Sequence, residues 1–147
     1  MNLILTLTIE NFEDVRKYLS GIPSINDGGC GIAALSMYRW LEKNKNEKSF
    51  FICCYTDSEN CQNNLSYLGK DKDKLSAPSH CGIEHGNKFL DSRSTIPIVM
   101  YNDLHFTNEK GMLELINYGK EWNLQFKKEN TKEISKRLGI NLSDVFV

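Results

Sequence analysis

Three residues in this chain have the types and the spacing for nucleophilic chemistry: Cys30, His80 and Asp91. In Asp27-Gly28-Gly29-Cys30-Gly31 a cysteine follows two glycines and opens an apolar helical pattern. A thiol in the first turn of a helix faces unpaired amide N–H groups and the positive end of the helix dipole, which stabilise the thiolate and lower its pKa. The glycines leave the sulfur uncovered and let a substrate backbone come close. The Cys30 amide is then one candidate oxyanion donor. Without a base in reach, the same pattern describes only a core cysteine behind a Gly-rich turn.

The stretch from His80 to Asp91 offers that base. Gly86-Asn87 suits a two-residue hairpin turn, which pairs His85 with Lys88, Glu84 with Phe89, Ile83 with Leu90 and Gly82 with Asp91. Residues two apart in a strand share a face, as do directly paired ones, so His80, Gly82 and Asp91 point the same way. Asp91 is the diagonal neighbour of His80 at ~7–8 Å between α-carbons, within reach of a carboxylate and an imidazole. Gly82 puts no side chain between them. A three-residue turn would move Asp91 to the other face. Glu84, also on the His80 face, is the next candidate to orient the ring.

These residues need elements to hold them. Residues 2–8 alternate weakly and read as a first strand, and Ile9, Phe12, Val15 and Leu19 have helical spacing up to Gly21. Residues 30–43 read as a helix with Cys30, Ala34, Met37 and Leu41 on one face and Asn26 or Asp27 as its cap. Strands are expected over 48–56, 80–84, 88–93 and 96–101, and helices over 110–122 and 131–139. Residues 57–79 form the longest irregular stretch. A cysteine-bearing helix packed on a mostly antiparallel sheet is an α+β plan.

The order of a cysteine at a helix start, a histidine opening a strand and an acid in the next strand resembles the papain-like superfamily, especially its small circularly permuted members of the NlpC/P60 and transglutaminase-like kinds. His80-Cys81-Gly82-Ile83 followed by Gly86-Asn87-Lys88-Phe89-Leu90-Asp91 is similar to the pattern that follows the histidine there. The resemblance implies a papain-like α+β domain, with Cys30 as nucleophile, His80 as base and Asp91 as orienter, cleaving an amide or isopeptide bond. It departs from the family in two places. No Gln precedes the cysteine as second oxyanion donor, which leaves Asn26 or Ser24 for that role, and Gly31-Ile32 stand where a Trp commonly follows.

Composition narrows the alternatives. At 147 residues, the chain suits a single domain, 1–147. Its 18 basic and 19 acidic residues leave a net charge of −1, so electrostatics indicates neither nucleic acid nor an anionic membrane as partner. The apolar run at the start lacks the basic residues of an export signal, and no stretch approaches the ~20 apolar residues of a membrane span. With five cysteines, an odd count without a C-x-x-C pair, reduced thiols in a cytoplasmic setting are expected. A metal site from His80, Cys81, His85 and the Cys53, Cys54 and Cys61 group lacks its cysteine half, because adjacent Cys53 and Cys54 point to opposite faces of a strand. The expectation is therefore no metal and no cofactor, a peptide, protein or amide substrate, and a transamidase if an amine replaces water. A non-catalytic binding or inhibitor protein on the same scaffold is the alternative from another class. His105 is expected to be a surface or satisfied histidine, and Lys127-Lys128 and residues 132–137 a solvated surface.

Of the five thiols, Cys30 is expected to alkylate first, with an apparent pKa below the ~8.5 of free cysteine. Iodoacetamide labelling across pH, read by peptide mass spectrometry, checks this. Cys61 or Cys81 reacting first at neutral pH, with Cys30 inert, would overturn it.

Overall fold

The computed structural model describes residues 8–54, 80–97, 104–118 and 123–146. Expectations for 2–7, 55–79 and 98–103, which include Cys61, lie outside the described residues, as does Trp122.

Asn11 and Asp14 begin the first helix, α1 (Phe12–Ser20), with a capping box: the Asn11 side chain accepts from the Asp14 amide at 3.0 Å and the Asp14 carboxylate from the Asn11 amide at 3.2 Å. This cap keeps Ile9 outside the helix, although its side chain still packs on the core. The chain then turns through Ser24 and Gly28, both with positive φ, and the Ser24 carbonyl accepts from the amides of Asp27 at 3.0 Å and Gly29 at 3.1 Å. That turn corrects the expected cap of the next helix, α2 (Cys30–Lys45). Its N-cap is Gly29, with no side-chain hydrogen bond, because the turn occupies Asn26 and Asp27. The first amides of α2 are therefore left uncapped at the cysteine.

Helix α2 is buried on nearly every side, from Cys30 through Tyr38 and again at Trp40 and Leu41, rather than along the one stripe expected. A helix apolar all round belongs inside the protein. It packs on the sheet on one side and against α1, α3 (Glu109–Tyr118) and α4 (Leu124–Leu138) on others. Helix α4 begins well before the expected 131. Phe126, Thr131, Ile134 and Leu138 form its buried side, while the charged residues between them hide the pattern in the sequence. Lys127, read as surface, is buried, and its ammonium donates to the Ile116 carbonyl near the end of α3 at 3.1 Å.

Five antiparallel strands complete the α+β fold: β1 (Phe50–Cys54), β2 (His80–His85), β3 (Lys88–Leu90), β4 (Thr95–Pro97) and β5 (Leu104–Thr107), in the order β4-β3-β2-β1-β5. The β2–β3 hairpin has the expected register, with His85 opposite Lys88 and Ile83 opposite Leu90. Gly86 (φ 60°) and Asn87 (φ 61°) are both left-handed, the backbone of a type I′ turn. Strand β3 is shorter than expected and stops at Leu90. Strand alternation puts Phe51, Cys53, Cys81, Ile83 and Leu90 into the main core, and Ile52, Cys54 and Phe89 into a second cluster on the opposite face.

Gly82 is required for more than an open line between its neighbours. A β-carbon there would lie 2.5 Å from the Leu90 carbonyl oxygen and 2.7 Å from the Phe89 ring. Gly82→Ala is expected to destabilise the fold by about 1–3 kcal/mol, because neither the paired backbone nor a fully buried ring can give way. The midpoint of chemical denaturation measures this. Gly86→Asn is the control, since nothing lies near its β-carbon and Asn tolerates the left-handed backbone.

Candidate active site

His80 opens the central strand β2, and Asp91 is the first residue after β3. The hairpin register brings them together: the ring Nε2–H donates to Asp91 Oδ2 at 2.6 Å. Asp91 is itself tightly held. Its Oδ1 accepts from the amides of Arg93 at 2.7 Å and Ser94 at 2.5 Å, closing an Asx turn between β3 and β4. Buried Arg16 of α1 clasps the same turn, donating through Nε to the Asp91 carbonyl at 3.0 Å and through Nη2 to the Ser94 carbonyl at 2.7 Å. Phe89 flanks the histidine, its ring centre 5.5 Å from that of His80.

Cys30, only 4% exposed, meets this pair where β2 begins. Its sulfur interacts with the Cys81 thiol, the His80 ring and the Cys81 amide. With Nε2 given to Asp91, Nδ1 is the ring nitrogen left for the sulfur. The Cys30 amide occupies the first helical position, which has no intrahelical acceptor. The structure thus brings together all three residues picked out as a triad. Asn26 is half-buried, and its Oδ1 accepts no hydrogen bond among the described residues.

The charges follow from these contacts. The Cys81 thiol does most to lower the Cys30 pKa, followed, against the opposing effect of burial, by the His80 ring and the Cys81 amide, and the result is about 5. The Asp91 carboxylate does most to raise His80, Cys30 adds to it against burial, and the result is about 9. Burial alone would raise the Asp91 carboxyl, but His80 and the Arg93 and Ser94 amides hold it below its usual value. Between about 5 and about 9 the site is a thiolate beside an imidazolium. Such a pair can attack an electrophilic carbon and return a proton to a leaving group.

The remaining candidates are placed elsewhere. His85 bonds to Glu47 at 2.9 Å. Glu84 accepts from the Asn87 amide at 3.0 Å in the hairpin turn, so it is occupied away from His80. His105 is 3% exposed with neither ring nitrogen paired among the described residues, which corrects the expectation of a surface or satisfied side chain. Burial lowers its pKa by disfavouring the charged ring. Among the described residues, no three His, Cys, Asp or Glu side chains group as metal ligands. Sequence reasoning missed Arg16, which carries no local signal because its partners are remote carbonyls. It also missed the Cys81 thiol as a partner of Cys30, weighing it only as a metal ligand or a rival thiol. The Asx turn was legible in Asp91-Ser92-Arg93-Ser94 but was not read. Comparison with protein-family models, curated protein sequences and solved structures finds no match for this chain.

His80→Ala is expected to raise the Cys30 thiol pKa, because it removes both a hydrogen bond and a positive charge from the thiolate. Near neutral pH, alkylation should slow roughly tenfold for each unit of that rise. Asp91→Asn should move the thiol less. An unchanged Cys30 titration in His80→Ala would mean that the two groups do not communicate.

Proposed function

We propose that the protein is a thiol hydrolase of papain-like type, cleaving an amide or isopeptide bond through an acyl-enzyme. The observation that carries this reading is the continuous chain from the Cys30 sulfur through the His80 ring to the Asp91 carboxylate. The Cys30 thiolate attacks the carbonyl carbon and forms the C–S bond. The negative oxygen that develops is met by the Cys30 amide at the uncapped helix start, with the Asn26 carboxamide N–H as second donor. The His80 imidazolium gives its proton to the leaving nitrogen as the C–N bond breaks. Neutral His80 then takes a proton from water, which attacks the thioester, and the C–S bond breaks to restore the thiolate–imidazolium pair. Asp91 holds the ring in the tautomer and orientation this requires and stabilises its charged form.

A peptide, protein or small amide substrate is consistent with this chemistry, and neither a metal nor a cofactor is needed. The non-catalytic alternative gains where Cys30 is both buried and remote from His80. Cys30 is buried, but the imidazole lies against it, which favours the catalytic reading. Among the described residues no helix is long and apolar enough to cross a membrane. A soluble, cytoplasmic setting with reduced thiols belongs to this proposal.

The test is hydrolysis of a panel of peptide and isopeptide amides by the purified chain, with and without hydroxylamine as competing acceptor. Cys30→Ala should abolish turnover, and His80→Ala should cost about 10²–10⁴-fold. The rate should follow a bell, rising through about 5 as the thiol ionises and falling through about 9 as the imidazolium loses its proton. Asp91→Asn should bring the basic limb down, since the carboxylate is what holds that proton. Hydroxamate formed faster than free acid would make the enzyme a transamidase. Equal rates in wild type and Cys30→Ala would remove the hydrolase reading.

A further inference from the structure

Cys81 is not used by the hydrolytic cycle, yet its thiol lies against the nucleophile. It follows His80 in β2, faces the main core and is 1% exposed. Its sulfur interacts with Cys30 on one side and is 3.7 Å from the Cys53 sulfur on the other, Cys53 being its direct partner across β1. Two reduced thiols, Cys81 and Cys53, therefore stand in a row behind Cys30. In the ordinary state the proton stays on Cys81, whose pKa is pushed up by Cys30, by Cys53 and by burial. Cys81 is a donor there, not a competing nucleophile.

We propose that Cys30 is a site of reversible oxidation by hydroperoxides and that Cys81 is its resolving thiol, forming a Cys30–Cys81 disulfide that switches the site off. The inference shares the Cys30 thiolate with the hydrolase reading but does not depend on any amide being cleaved. A thiolate is the species that peroxides oxidise, and Cys30 is the described cysteine with a cation beside it. Its small exposure admits a molecule the size of hydrogen peroxide more readily than a bulky oxidant. In the first step the Cys30 sulfur attacks one peroxide oxygen and the O–O bond breaks. The sulfur is oxidised to sulfenic acid, the peroxide is reduced, and the departing oxygen takes the His80 proton. In the second step the Cys81 sulfur attacks the sulfenic sulfur, the S–O bond breaks and the S–S bond forms. The Cys81 proton leaves with the sulfenic oxygen as water.

Contact between the sulfurs makes this second step faster than a further peroxide encounter, which would carry Cys30 irreversibly to sulfinic acid. Cys53 is the competing partner for Cys81. It presents no oxidised sulfur for Cys81 to attack, because it lies in the core with 0% exposure and no cation among its described contacts.

The experiment treats the full reduced chain, carrying Cys61→Ser so that the fifth cysteine adds no thiol, with stoichiometric hydrogen peroxide at neutral pH. Free thiols are then blocked with N-ethylmaleimide and the peptides mapped by mass spectrometry. The expected product is a cross-link between the Cys30 and Cys81 peptides that dithiothreitol reverses, formed equally in Cys53→Ser. In Cys81→Ser, Cys30 should instead label with dimedone as sulfenic acid and progress to a sulfinic form that dithiothreitol does not restore. A Cys53–Cys81 cross-link, or sulfinic acid at Cys30 in wild type at the rate seen in Cys81→Ser, would overturn the proposal. The cross-link appearing in a chain that hydrolyses no amide would leave this inference standing and remove the hydrolase reading alone.

Discussion

The hydrogen bond between His80 Nε2 and Asp91 Oδ2, 2.6 Å across a hairpin, sets conditions that much of the fold serves. A carboxylate only 6% exposed is costly unless its remaining lone pairs are occupied, and here two amides occupy them. Those amides belong to a turn that must itself be held, and Arg16 holds it from a different helix. The hairpin must keep a two-residue turn, because one added residue would flip Asp91 to the other face. Gly82 must stay small, because the Phe89 ring and the Leu90 carbonyl already fill the space above it. Each requirement falls on a different part of the chain, and all converge on the angle of one imidazole.

Two cysteines beside that imidazole show how little residue type decides. Cys54 is the direct cross-strand partner of His80, and its thiol is pushed up to about 12 by burial and by the negative charge of its neighbours. Cys30 comes from a remote helix, is just as enclosed, and is lowered to about 5. Burying an ionised sulfur costs several kcal/mol unless donors replace the lost water. Cys30 has such donors in the Cys81 thiol and amide and the imidazolium, whereas Cys54, although paired with His80 across the strands, sits with Ile52 and Phe89 among carbon and like charge. The same low dielectric penalises one thiolate and strengthens the hydrogen bonds that hold the other.

Helix α2 holds Cys30 by packing rather than by a cap. Its body is apolar on nearly all sides, so packing holds the helix without a side-chain cap. Capping would ordinarily contribute about 0.5–2 kcal/mol. Its absence leaves the first amides of the helix without a side-chain acceptor at Cys30. The Ser24–Gly29 turn makes this possible by closing on its own backbone and keeping Asn26 and Asp27 away from the cap position.

Much of the site was determined by the sequence alone because it depends on short-range rules. A glycine pair ahead of an apolar helical run places Cys30 at a helix start, and Gly86-Asn87 with period-two alternation places His80 and Asp91 on one face. Both follow from backbone geometry within a dozen or so residues. The α+β class follows for the same reason. The rest was decided by contacts between segments far apart in the chain. No local pattern tells Arg16 that it will meet the Asp91 turn, or says that Lys127 will be buried beneath α3. The length of α4 was hidden because its charged face dilutes its apolar one until the core is assembled. The proton balance of the site is tertiary in the same sense: Cys30, Cys54 and Cys81 are the same amino acid, and only the donors, charges and solvent that the fold places around each sulfur set them apart.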